Sequence, residues 1–197
     1  MMSRGLFLLG FSLALLVAFG CSSSSGSGGG GGGTTSPAIV CINGDAVSPD
    51  ALTMMCGGET NSTTEQVNVV MGGPASGTTT LRGLNFDVTF DPSKLQFAGL
   101  TPSDPADPNA LFPSSVTPLA TSHTAGRVVV TIQRFEGDPD RVVSAGQYKN
   151  VFSLSFQRVA GATFGSTPLT FENAEYTRPQ PLTPTSFPIV NGPTLSY

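Results

Sequence analysis

The sequence has no tryptophan, a single histidine, and nine Lys and Arg against thirteen Asp and Glu. Each shortage excludes something. Phosphate backbones are held by clustered cations, so nine scattered ones with a formal charge of −4 exclude a nucleic-acid surface. A hydrolytic triad needs a base, and His123 stands alone in a Ser/Thr-rich loop, TSHTAG, with no G-x-S-x-G elbow. Glycoside hydrolysis needs two opposed carboxylates; Asp87 and Asp91 qualify only by being available, and Asp91 reads as a turn residue. No enzyme is expected. Sugar-binding faces present flat exposed rings, and here only Tyr148, Tyr176 and Tyr197 join thirteen Phe that fall mostly on core parities or in the N-terminal apolar run. Charged residues make up 11%, with 24 Gly and 16 Pro, which excludes a chain of long amphipathic helices. What remains is an all-β chain of short strands between turns.

The clearest strand lies in LRGLNFDVTFDPSKLQFAGL, Leu81 to Leu100. Leu84, Phe86, Val88 and Phe90 share one parity, and Asn85, Asp87 and Thr89 take the other. A period of two puts the apolar set on a buried face and leaves the polar set facing out. Asp91-Pro92-Ser93 ends the strand, because Asp bonds its own following backbone and Pro removes a ladder donor. The same alternation recurs in Gln66 to Met71, Arg127 to Gln133, Asn150 to Gln157 and Leu169 to Tyr176, with closing strands at Phe187 to Val190 and Thr194 to Tyr197. Thr101 to Thr121 carries five Pro and reads as a connection pinned by Leu111, Phe112 and Val116. Ala75 to Thr80 reads as a loop. One short helix is predicted near the N-terminus, over Ser48 to Met55, from a Ser cap, Pro at the first helical position and Asp in the first turn.

The N-terminus gives an address. Arg4 precedes an uncharged apolar run, Leu6 to Phe19, too short to span a bilayer comfortably, and residues 1–20 read as a signal peptide. Ala18-Phe19-Gly20-Cys21 resembles the lipobox of bacterial lipoproteins, which implies lipidation at Cys21 and a membrane contact through that anchor only. Residues 21–36 then form a Ser/Gly-rich tether, a coil on the order of 20 Å across. The expected location is the bacterial cell envelope, as an outer-membrane lipoprotein. An exported chain meets an oxidising compartment, so Cys41 and Cys56 are expected to form a disulfide that staples a segment over residues 37–64. Metal binding there would need further ligands, and His123 is remote. Asp104 with Asp107, or Glu136 with Asp138 and Asp140, offer oxygen to calcium, but no D-x-D-x-D-G loop is present and solvated acidic turns are the simpler reading. No cofactor is expected.

The run Gly83 to Leu95, a half-buried strand followed by an aromatic-Asp-Pro corner and a Leu, resembles the cohesin-domain family. Three later pieces follow in the same order: Arg127 to Ile132, Asn150 to Phe156, and Gly165-Ser166-Thr167-Pro168-Leu169-Thr170-Phe171. The resemblance covers residues 65–197 and implies a cohesin-like jelly-roll β-sandwich of about nine strands. It also implies a non-catalytic binding module that docks a dockerin-like protein across one sheet face, in a setting of polysaccharide degradation. By position, that face carries Asn85, Asp87 and Thr89, followed by Thr131 and Gln133. A polysaccharide is the alternative partner, and exposed Tyr148 and Tyr176 side by side would favour it. A structural envelope lipoprotein with no dockerin partner is the third reading.

Overall fold

The computed structural model describes residues 38–60, 63–112, 119–133, 139–163, 165–179, 183–188 and 191–197. The signal peptide, Cys21, the tether, Val116, Glu136 and Asp138 lie outside the described residues. Within them the chain forms thirteen strands and no helix: β1 (Val40–Ile42), β2 (Leu52–Thr60), β3 (Thr64–Gly72), β4 (Thr78–Leu81), β5 (Gly83–Thr89), β6 (Leu95–Pro102), β7 (Leu119–Thr124), β8 (Arg127–Gln133), β9 (Arg141–Ser144), β10 (Tyr148–Arg158), β11 (Ser166–Thr177), β12 (Pro184–Ser186) and β13 (Asn191–Ser196). All pair antiparallel. A seven-stranded sheet runs β1-β13-β11-β5-β8-β7, with β12 beside the end of β11. A four-stranded sheet runs β2-β3-β10-β6, and β4 pairs β9 as a separate ribbon.

The two larger sheets bury the apolar parities that the sequence alternates. Leu84, Phe86 and Val88 of β5 and Val128, Val130 and Ile132 of β8 are fully buried, as are Phe152, Leu154 and Phe156 of β10. Phe86 stacks on Phe152 from the other sheet at 5.6 Å between ring centroids and meets Phe171 edge-on at 5.2 Å. The Asp-Pro corner works as its chemistry dictates. Asp91 Oδ1 accepts from the Ser93 amide at 2.9 Å and from its hydroxyl at 2.6 Å. These bonds hold the Asp91 carboxyl below the ordinary aspartate range. Gly126 turns β7 into β8 at φ 85°, and its carbonyl accepts the Phe90 amide at 2.9 Å, fixing the exit of β5. Leu111 and Phe112 are buried, which pins the Pro-rich connection to the core.

Four expectations differ. The helix over Ser48 to Met55 is replaced by a turn and a strand. Asp50 sits at φ 52°, its amide donates to Gly73 and its carboxylate accepts from Thr79, so the helix cannot start. Two turns have too few internal bonds to compete with a sheet partner, and Leu52, Met54 and Cys56 share a parity that β3 can pair. Ala75 to Thr80, read as a loop, supplies β4 from Thr78 onward, because β9 offers its backbone a partner that no local pattern announces. Phe187 lies outside a strand: its amide donates to Ala174, its ring packs on Tyr176, and the strand there is β12 instead. Thirteen strands stand where about nine were expected, the excess including the three- and four-residue strands β1, β4, β9 and β12.

The Cys41–Cys56 disulfide is formed, with a Cα–Cα distance of 5.7 Å, and joins β1 of one sheet to β2 of the other. One core position is out of character. Glu65 shares the inward parity of Val67 and Val69, is 0% exposed, and neither carboxylate oxygen has a hydrogen-bond partner among the described residues. Burial without a compensating charge pushes its carboxyl pKa up.

Candidate functional site

The outer face of the seven-stranded sheet is built from the polar parities of β5, β8 and β11. Register sets Asn85 beside Thr131 and Asp87 beside Val129, with Thr89 opposite Arg127. The Thr131 hydroxyl donates to Asn85 Oδ1 at 2.8 Å, a cross-strand bond that fixes the amide orientation. Thr89 and Thr131 remain open to solvent in part, and Gln133 is exposed at the end of β8.

Asp87 is different. Its side chain is only 4% exposed because Arg127, 41% exposed, lies over it in a salt bridge. Asn173 Nδ2 donates to the same carboxylate oxygen at 2.7 Å. The hydrogen bond and charge of Asp87 raise the Arg127 pKa, with Glu172 adding to the effect. Asn173 reaches this position through an irregularity in β11: the pairing with β5 shifts between Glu172 and Glu175, and Asn173 takes φ 50°. Asparagine tolerates that left-handed conformation better than most residues. The bulge leaves Glu172 and Asn173 exposed and Glu175 half-buried along one side of the face.

All five residues read from the sequence therefore lie on one face. Four present atoms to solvent, and Asp87 instead holds Arg127 and Asn173 in place. Arg127 shares the parity of Thr131 and Gln133, so its membership was readable from the strand pattern. Asn173 was not, because a bulge inverts the parity count and nothing in FENAEY announces one.

Other candidate sites resolve differently. Asp104 and Asp107 each accept a backbone amide two residues on, from Ala106 and Asn109, at 2.8 Å. Asp107 also accepts from Asn150 at 2.7 Å, and these bonds hold its carboxyl below the ordinary range. Among the described residues no group of three metal-ligating side chains converges. His123, read from the sequence as a loop residue, falls instead within β7, because β8 offers this polar segment a strand partner. Tyr148 is 56% exposed, whereas Tyr176 is 8% exposed and packs on Phe187, so the two do not form a surface pair of rings.

Solved structures similar to this one include cohesins. The sixth cohesin of Acetivibrio cellulolyticus scaffoldin B, solved in complex with a mutant Cel5 dockerin, matches with a TM-score of 0.53 at 17% identity, over 74% of this chain and 97% of its own. The cohesin module of a Clostridium perfringens family 33 glycoside hydrolase matches with a TM-score of 0.53 at 6% identity, over 78% and 96%. This is a cohesin fold. The CaCohA2 cohesin of Clostridium acetobutylicum matches as well, with a TM-score of 0.53 at 16% identity, over 73% of this chain and 96% of its own. No protein-family model matches the sequence, and no curated protein does either. The cohesin fold is thus carried by a sequence only 6–17% identical to these structures.

Proposed function

We propose that this chain is a non-catalytic docking module whose outer seven-stranded face receives a dockerin-like protein. The observation that carries the reading is the pre-organised polar face: Thr131 holds Asn85, and Asp87 holds Arg127 and Asn173, on a cohesin fold. Side chains already fixed in one orientation lose little entropy on binding, which favours a specific partner over mere solvation. The first measurement is biolayer interferometry of the immobilised protein against calcium-loaded dockerin-like modules of the source genome. At least one should bind with micromolar or tighter affinity. Thr131→Arg, an outward substitution on β8, should weaken it at least tenfold while leaving the melting temperature unchanged. Soluble polysaccharide should not compete. If every module fails to bind, or the Arg substitution has no effect, the reading is wrong; competition by polysaccharide would move it to sugar binding.

We further propose that the module is displayed at the cell envelope through lipidated Cys21, in a setting of polysaccharide degradation. Support comes from the short apolar leader and the lipobox-like Ala18-Phe19-Gly20-Cys21 ahead of a Ser/Gly coil. Cells fed tagged palmitate should label the protein and retain it in the membrane fraction. Cys21→Ser should abolish both. Label surviving in the variant would place the acyl chain elsewhere, and an unlabelled wild type would mean ordinary cleavage and release.

A further inference from the structure

A second site lies where β4 meets the end of β11. The Arg82 amide donates to the Thr177 carbonyl at 2.8 Å, which ties the two strands and brings Thr78 to Thr80 beside Arg178. Between them is a groove of about 450 Å³ lined by Thr78, Thr79, Thr80, Tyr176, Arg178 and Pro179. Arg178 is exposed, and it contacts Tyr176 through its side chain and Thr183 through its backbone. Its Nη2 donates to the Tyr176 hydroxyl at 3.2 Å, its guanidinium lies 5.8 Å from the Tyr176 ring centroid, and its amide donates to Thr183 at 3.4 Å.

Of the described cations that make no ion pair, Arg178 is the one that lines this groove. Arg82, Lys94 and Arg127 are each paired with an aspartate, but no ion pair among the described residues involves Arg178. The nearby carboxylate of Asp50 accepts from Thr79, whereas Thr78 and Thr80 have the opposite strand parity. A planar guanidinium fixed against a tyrosine, with hydroxyls beside it, matches an oxyanion that accepts two parallel N–H bonds. The groove is also far larger than a free inorganic ion, whose volume is comparable to the ~30 Å³ share of one water molecule rather than to hundreds.

From this we infer that the groove binds an oxyanion carried on a hydroxylated ring, the chemistry of an acidic sugar residue. The anionic group pairs with Arg178, and the ring hydroxyls exchange hydrogen bonds with Thr78 and Thr80. The groove shares no lining residue with Asn85, Asp87, Thr89, Thr131 and Gln133 of the polar docking face.

The test is a nuclear magnetic resonance titration of the full, nitrogen-labelled chain with glucuronate, following the Thr78–Thr80 amides and the Arg178 Nε signal. Saturable shifts confined to these residues are expected. Arg178→Gln should weaken binding roughly tenfold or more, the scale of one lost charge-assisted contact, and Arg178→Lys nearly as much because it lacks the fork. Thr80→Val leaves the Arg178–Tyr176 contact intact and should weaken binding severalfold, which covers the case of an Arg178 variant that misfolds. A sulfated glucose in place of glucuronate distinguishes a tetrahedral from a planar oxyanion, and selective binding of either supports the inference. Neutral glucose giving equal shifts, inorganic sulfate binding as tightly as either sugar, no saturable response, or a response indifferent to Arg178→Gln and Thr80→Val overturns it.

Discussion

Removing the Cys41–Cys56 bridge with a Cys41→Ala, Cys56→Ala double substitution is expected to cost about 3 kcal/mol of unfolding free energy. A loop closed over a sequence separation of 15 restricts the unfolded chain by about that amount on the chain-entropy account. For a domain of this size the loss corresponds to roughly 6–12 °C in melting temperature. The effect should also be local. β1 has three residues and among the described strands pairs only with β13, so without the bridge its amides should exchange with solvent far sooner than those of β13. Urea unfolding gives the global number, and hydrogen exchange gives the local one. A loss under about 1 kcal/mol would mean that strand pairing alone secures β1 and that the bridge constrains an already compact unfolded state.

Glu65→Met should stabilise the protein near neutral pH by about 1–3 kcal/mol, the range for relieving a buried polar group left without partners. The sign with pH follows from the raised carboxyl pKa. The folded state holds the proton more tightly than the unfolded state, so wild-type stability is fullest below the ordinary glutamate range and falls as pH rises through the folded value. Methionine has no proton to lose, so the gain over wild type should be larger at pH ~7.5 than at pH ~4, around the unperturbed glutamate pKa. Paired thermal melts at the two values test this. A gain that is equal at both would mean that Glu65 costs packing rather than charge, and a loss at both would show a contact essential to the fold.

The strand pattern made most of the fold legible, because where one face is buried a period of two leaves few alternatives. β5, β8 and β10 fall where Leu84-Phe86-Val88, Val128-Val130-Ile132 and Phe152-Leu154-Phe156 alternate. The Asp91 turn was legible because its bonds are local. What stayed hidden was set by partners distant in sequence. Thr78 to Leu81 has no alternating apolar run, yet β9 makes it a strand. Ser48 to Met55 carries sound helix-start chemistry that long-range pairing with β3 overrides. At the docking face, the outward positions were readable from parity, but the burial of Asp87 was not. That burial depends on Arg127 reaching over from the neighbouring strand β8 and on Asn173 arriving through a bulge in β11. Glu65 likewise reads as an ordinary polar strand residue until the opposite sheet closes over it.

The bridge between β1 and β2 has a mechanical consequence. A pull entering ahead of Val40 meets first a three-residue strand, which by itself would peel from β13 under small load. The covalent link passes that load from Cys41 to Cys56, into β2 and so into the other sheet through its ladder with β3. Tension is thereby shared between both layers before any strand must separate. The 14 residues between the two cysteines also lie off the line of force, so forced extension of the domain falls short by about 50 Å of contour, at some 3.4 Å per residue.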